Sequence, residues 1–230
     1  MAFFNFAEPI LRRKQHNLDI QDLCGLLRIH WQLGDRTLLS NLYTRIDQVF
    51  IVWGWITAII FAVAQFTLIS WTDQAIAWSM LTLVGTVAMT RLAWFWVKVE
   101  RLRWLIYGWA GLMLGGVLVT DYGIFAPCGW VLMHLCALWL GLTAAGYLMM
   151  GIGMRSRTFL LTALIHLLSL PLLSAVPQWQ FLITGGVMAG CLMLLSEVQW
   201  DMRSPVESQV LSAEERAFNR EQQRLRQWVS

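Results

Sequence analysis

Six runs of mostly apolar residues, each about 20 residues long, dominate this chain, and such runs are the length a helix needs to cross a bilayer. Within lipid every backbone N–H and C=O must find its partner inside the protein, so a spanning run of this kind folds as a helix. The runs fall at 49–70, 74–97, 104–124, 128–154, 158–176 and 179–200. The expected fold is therefore all-α: a polytopic membrane protein, a six-transmembrane-helix bundle with amphipathic N- and C-terminal helices. Residues 1–48 form the expected cytoplasmic N-terminal region, 49–200 the transmembrane domain and 201–230 a cytoplasmic helical tail. Charged residues make up 13% of the chain, against about 25% in ordinary soluble domains.

Charge placement sets the direction. With the N-terminus inside, all 17 Lys and Arg fall on inner segments or, for Arg91, in the inner third of the second run. The outer side keeps only Asp73 and Asp121. Lys/Arg bias is the main determinant of orientation, so both termini are expected in the cytoplasm. The membrane is then a cell inner (plasma) membrane or an internal one of equivalent topology. A net charge of +3 gives a nucleic-acid partner no electrostatic support. The lipid bilayer and other membrane-protein subunits are the expected partners. Glu8 and Pro9 interrupt the first residues, and Arg12, Arg13 and Lys14 follow them, the reverse of a secretory leader. No lipidation motif is present. Four cysteines without a C-x-x-C pair suggest neither a disulfide framework nor a zinc site.

Helices in lipid associate through small residues and interhelical hydrogen bonds. Stripes of that kind recur at helical spacing: Gly54, Ala58, Ala62 and Gln65; Ser79, Thr82, Thr86 and Thr90; Gly108, Gly111 and Gly115; His134, Ala137, Gly141 and Ala145; Thr158, Thr162, His166 and Ser169; Gly186 and Gly190. Each reads first as a packing face, with a polar pathway between helices as the alternative. Pro171 predicts a kink in the fifth run.

Outside the runs, Leu23, Leu26, Leu27 and Trp31 suggest an amphipathic helix over 18–33, ended by Gly34. Asp35 would cap a second stretch leading into the first span. Arg28, Arg36 and Arg45 would hold this region at an anionic membrane surface or a partner. The tail begins at Pro205, and Ser212 with Glu215 fits a capping box. Leu211, Phe218 and Leu225 recur every seven residues there. Arg216, Arg220 and Arg224 form a basic column suited to headgroups or an acidic partner.

Ionisable residues inside spans are rare and often functional. His134 and His166 could ligate a haem, a pigment or another hydrophobic cofactor if their helices face each other. The identity of any cofactor is not legible. Joining helices by hydrogen bonds is the simpler role. Gln65, Thr86, Arg91 and Asp121 are the remaining intramembrane polar residues, with Arg91 expected to snorkel to the inner surface. Phosphate loops, H-E-x-x-H, G-x-S-x-G and dinucleotide glycine patterns are missing, so no residue set nominates a reaction. Three expectations remain. The chain is a non-enzymatic scaffold, assembly factor or accessory subunit; or it binds a hydrophobic cofactor through its histidines; or it is a small-solute transporter or channel using its hydroxyl stripes.

Overall fold

The computed structural model describes residues 3–6, 9–15, 17–33, 36–203 and 206–229. Gly34, Asp35 and Pro205 lie outside them, as does the side chain of Arg36. The chain is 75% helical and all-α in character, and six of its helices are long and apolar enough to cross a membrane.

Chain order begins with a short strand β1 (Leu11–Arg12) and a single turn α1 (Ile20–Leu23). Two strands follow, β2 (Leu27–Leu33) and β3 (Arg36–Tyr43), paired antiparallel from Leu27↔Tyr43 to Leu33↔Arg36. This hairpin replaces the amphipathic helix expected over 18–33. The physical reason lies in the alternation Leu27, Arg28, Ile29, His30, Trp31, Gln32, Leu33, which has the period of a strand. A Gly-Asp dipeptide then sits between the two runs, which is a hairpin sequence.

The bundle consists of α2 (Arg45–Phe66), α3 (Trp71–Val99), α4 (Arg103–Phe125), α5 (Gly129–Met133), α6 (Leu135–Met154), α7 (Arg157–Leu168), α8 (Leu170–Ala175) and α9 (Gln180–Glu197). A two-residue strand β4 (Gln199–Trp200) pairs with β1, and α10 (Ala213–Val229) forms the tail. Helix α2 starts earlier than its apolar run because Thr44 and Asp47 form a capping box. Helix α3 begins at Trp71 rather than beyond Asp73, with Ser70 accepting from the Asp73 N–H at 3.1 Å. The fourth run is broken at His134, between α5 and α6. The fifth is broken at Ser169, two residues before Pro171, in line with the kink expected there. The tail capping box forms as expected: Glu215 accepts from the Ser212 N–H at 2.7 Å, and the Glu215 N–H donates to Ser212 Oγ at 3.2 Å.

Helix packing makes a closed ring. Helix α2 packs on α3, α3 on α4, α4 on α6, α6 on α9 and α9 back on α2, while α7 and α8 lie against α6 outside that ring. Glycines bring several of these neighbours close, and the partner is often tryptophan. A Cβ at Gly85 would meet Trp53 at 3.1 Å, one at Gly116 would meet Trp139 at 3.0 Å, and Gly146 lies against Trp109. The two G-x-x-x-G pairs expected to pack, Gly111 with Gly115 and Gly186 with Gly190, face open space. The stripe His134, Ala137, Gly141 and Ala145 also lies off the buried face of α6, which is built instead from Leu140, Thr143, Ala144 and Tyr147. The hydroxyl stripes of α3 and α7 do point inward.

One end of the bundle collects the charges of both termini. Asp201, 1% exposed at its side chain, accepts from Ser156 Oγ, the Arg157 and Thr158 N–H groups, Thr158 Oγ1 and Arg157 Nε, all within 2.7–3.0 Å. It thereby caps α7 with a carboxylate at the positive end of the helix dipole. Asp201→Ala should destabilise the fold by about 2–4 kcal/mol, because it orphans buried donors and breaks a largely buried ion pair. Asp201→Asn should fall between it and the unmodified chain. Thermal unfolding in detergent reads this, and an unchanged midpoint for the alanine variant would remove Asp201 as the hub.

Candidate functional site: an apolar crevice above a charged chamber

The ring of α2, α3, α4, α6 and α9 encloses a long crevice of about 120 Å³. Phe50, Thr57, Thr82, Met113, Tyr147 and Met188 are among its walls. On α3 it reaches from Trp78 to Val97, about 29 Å by helical rise, close to the roughly 30 Å of a bilayer's hydrocarbon core. Its lining is almost wholly apolar. Of the threonines that line it, Thr120 Oγ1 donates to the Gly116 carbonyl and Thr143 Oγ1 to that of Trp139, both at 2.8 Å. Tyr147 also lines the crevice, and its hydroxyl is buried without a hydrogen-bond partner.

At the end far from the termini, Ser79 Oγ donates to Asp121 at 2.9 Å. Gln65 ties α2 to α9 there, accepting from the Leu182 N–H at 3.1 Å and donating to the Gln178 carbonyl at 3.0 Å.

At the other end the crevice adjoins a second, larger cavity of about 480 Å³, and Ile46 and Trp96 line both. This chamber is charged. Asp19, Asp22, Asp47 and Glu100 face it with Arg12, Lys14, Arg203 and Arg226. Lys14 pairs with Asp47 and Arg226 with Asp19, each at 2.8 Å. Trp96 Nε1 donates to Asp22 at 3.0 Å, so the tryptophan that ends the crevice is bonded to a carboxylate of the chamber. A buried relay closes one wall: Asn219 of α10 donates to Gln21 at 3.0 Å, and Gln21 donates to Glu100 at 3.1 Å. Glu100 is only 2% exposed, and its second oxygen lies 4.0 Å from Arg203 Nη2, beyond hydrogen-bond reach.

Burial drives Asp22 up to about 7, reinforced by the neighbouring Asp19 charge and opposed by the Trp96 N–H. Burial likewise raises Glu100 to about 7, opposed by Arg203 and then reinforced by Asp19. Asp201 behaves oppositely: burial alone would raise it, but Arg157 and the Thr158 donors hold it below the ordinary carboxylate value.

The residues singled out from sequence are not brought together. His134 is exposed, hydrogen-bonded to the Trp130 carbonyl at 2.8 Å and lying against that indole. His166 is fully buried, with Nδ1 at 2.8 Å from the Thr162 carbonyl and Nε2 without a partner. Neither lines the crevice or the chamber. Among the described residues no cluster of three His, Cys, Asp or Glu could hold a metal ion. Arg91 is exposed at the side of α3, and Arg28 is exposed on β2. Arg45 Nε donates to the Cys24 carbonyl at 3.2 Å. Arg220 pairs with Glu207 at 3.0 Å and Arg224 with Glu221 at 3.5 Å, while Arg216 is half-buried. Of the intramembrane polar residues Gln65, Thr86, Arg91 and Asp121, only Asp121 lines the crevice, and Thr82, one turn before Thr86, lines it too.

The chamber residues escape a reading by motif. Their signal is nonetheless present: Asp19, Asp22, Asp47 and Glu100 lie at the same end as the cations in a chain that holds few charges. Such acids at span ends indicate a buried ionic structure rather than a solvated rim.

Compared with family models, curated proteins and solved structures, the chain matches none.

Burial also raises Asp19 and Asp47, and the two acids raised to about 7 give the fold a pH dependence of definite sign. A carboxyl whose pKa rises on folding holds its proton more tightly in the folded state. Stability therefore falls as pH climbs from the unfolded values of 3.8 and 4.5 toward about 7, and is level above that. The double variant Asp22→Asn, Glu100→Gln should flatten this fall in unfolding measured from pH 4.5 to 8. A slope unaltered by the two changes would place the titration elsewhere.

Proposed function

We propose that this chain is a membrane protein that binds an amphipathic molecule, holding an apolar chain in the crevice and a polar head in the chamber. The observation that carries this is that the two cavities share Ile46 and Trp96 in their walls. A narrow, almost wholly apolar slot about as long as a bilayer is thick complements an acyl or prenyl chain better than an ion. A charged, roomy chamber at one end complements a headgroup. The binding needs no intramembrane histidine pair, so it differs from the cofactor expectation in its site while sharing its ligand class.

Orientation belongs to the same proposal. The positive-inside bias puts the charged end, with both termini and the chamber, on the cytoplasmic side of a cell inner membrane or its equivalent. An impermeant maleimide applied to intact cells should leave a single-cysteine Cys24 chain unlabelled and should label a Tyr122→Cys chain at the opposite end. The reverse pattern would invert the assignment.

The hairpin favours a second reading, the scaffold or accessory subunit. Leu27 and Ile29 are exposed on β2, and a two-stranded ribbon offers open edges to a partner strand. Lys14 and Glu197 fasten its base: Lys14 donates to the Leu42 carbonyl, and Glu197 accepts from Tyr43 Oη and Asn41, all at 2.8 Å.

The crevice is tested by filling it. Protein purified from membranes in mild detergent should carry an extractable amphiphile, read by mass spectrometry. Thr57→Phe, which places a ring in the slot, should reduce the retained amount about tenfold, the loss of roughly 1.4 kcal/mol of binding. Equal retention by the variant would refute a chain in the crevice.

A further inference from the structure

Four apolar side chains near the N-terminus are left uncovered by the bundle. Phe3, Phe6, Ile10 and Leu11 are all exposed, Phe6 by 69%. Phe4 links the two rings, its own ring 4.8 Å from that of Phe3 and 6.3 Å from that of Phe6. None of the four exposed residues lines the crevice or the chamber, so what covers them is independent of the amphiphile reading. A group of large apolar side chains left open in this way marks a surface that something else meets.

Hydrogen bonds fix the level of this segment. The Ile10 carbonyl accepts from Thr158 Oγ1 at 2.7 Å and from the Asp201 N–H at 3.2 Å. Leu11 pairs with Trp200 in the ribbon of β1 and β4. Thr158 belongs to the first turn of α7, and Trp200 follows the end of α9. The segment therefore lies where these spans leave the apolar layer.

Two arginines bring the rings into line with the outer faces of the bundle. On α6, Ala145, Leu148 and Ile152 are exposed, and Arg155 continues that row at the helix end. On α7, Leu161, Leu164, Ile165 and Leu168 are exposed, and Arg157 lies one turn before Leu161 on the same side. In a bilayer these rows face acyl chains. The Phe3 ring lies 5.1 Å from Arg155 Cζ and the Phe6 ring 5.2 Å from Arg157 Cζ, both cation–π contacts. Each ring thus ends a lipid-facing row at the depth of its arginine. Arg157 is held there by Asp201 at 2.8 Å.

We propose that the segment carrying Phe3, Phe6, Ile10 and Leu11 is an interfacial anchor. Its two rings insert at the boundary between headgroups and acyl chains, in the leaflet on the side of both termini. Rings laid over arginines suit that depth, because the apolar faces meet the tops of the chains while the guanidiniums stay at the level of the phosphates. The occupant is the lipid of the membrane that the bundle spans. A protein partner would have to displace lipid from the ends of both rows, whereas the leaflet reaches the rings by continuing along them.

Photocrosslinking of the full-length protein in vesicles of dioleoyl phosphatidylcholine tests this. p-Benzoylphenylalanine is placed singly at Phe6, at Leu164 on the outer row of α7, and at Glu214, an exposed position of the polar helix α10. Adducts formed on irradiation are read by mass spectrometry. Position 6 should yield lipid adducts within about threefold of position 164 and about tenfold above position 214, the contrast between apolar and aqueous surroundings for one ring. Lipid adducts at position 6 no more abundant than at position 214 would overturn the anchor. Adducts to a second copy of the chain in place of lipid would overturn it as well. Should the replacement at Phe6 prevent folding, the same probe at Phe3 is decided by the same comparison. Amphiphile retained in the crevice is a separate readout, so either outcome leaves that reading where it stands.

Discussion

Glycine set against tryptophan is the contact on which the bundle's shape depends. In lipid there is no gain from burying one apolar surface against another, so helices hold together by dispersion between well-matched surfaces. A glycine removes the barrier to close approach, and an indole supplies the largest flat surface to lay across it. Gly85 with Trp53 joins α3 to α2 in this way. Gly116 with Trp139 and Gly146 with Trp109 join α4 to α6 from both directions. At these two joints the bulk of the indoles sets the helix separation, and between α2 and α9 Gly54 meets Met193 and Gly185 meets Phe61 in the same manner. Replacing the joints by the small-on-small contacts of a G-x-x-x-G pair would draw the helices together and close the slot. The crevice is thus a consequence of which residue answers each glycine.

The charged end solves a different problem. Carboxylates and guanidiniums are expensive to desolvate, and a buried pair is weak evidence of stability. Here their role is positional. Asp201 anchors the start of α7 to the chain after α9. Arg226 and Asn219 fasten α10 to the turn at α1, and Gln21 passes that fastening on to the end of α3. Residues nearly the full chain length apart thereby form one wall. Two of the acids are raised to about 7, which means their neighbours leave part of the charge uncompensated. A cavity beside an uncompensated charge is more informative than a sealed ion pair, because the geometry has room for a group that would finish the compensation.

The spans are legible in the sequence to within a few residues, because hydropathy over 20 residues is a strong signal and the bilayer sets its length. Breaks at His134 and Ser169 lie inside those apolar runs, and hydropathy is blind to them. Residues 27–43 carry two competing periods. Leucines at three- and four-residue steps suggest a helix, while the alternation through Ile29 and Trp31 and the Gly-Asp dipeptide carry the strand signal that prevails. Small-residue stripes on α6 and α9 are legible as stripes, but their direction depends on the neighbouring helix, which no single segment encodes. Asp121 stands out as an intramembrane polar residue, but the crevice it lines is a property of the ring. His134 and His166 stand out by chemistry alone, and rarity in a span does not place two rings together. The chamber is hidden for a similar reason. Its members come from residues 5–22, 42–47, 96–100, 198–203 and 223–226, and each group is unremarkable until the chain is folded.

A continuous polar path and a lipid slot make opposite demands on the same threonines. Conducting an ion or a small solute through a helix ring requires hydroxyls and carbonyls turned to the axis, ready to replace lost hydration. In this ring the hydroxyl protons of Thr86, Thr120 and Thr143 are committed to carbonyls four residues back on their own helices. Apart from Thr57, Ser79, Thr82, Asp121 and Tyr147, the lining is methyl, methionine and ring. At the far end, Ser79 with Asp121 and the two hydrogen bonds of Gln65 to Gln178 and Leu182 tie helices together rather than open between them. Water entering such a slot would find few partners and lose those it had, so the cavity favours hydrocarbon as its filling. Polarity rises abruptly at Trp96, whose ring borders the slot and whose N–H points to a carboxylate of the chamber. One side chain therefore marks the boundary between two solvents inside the protein, which is the boundary an amphiphile carries within itself.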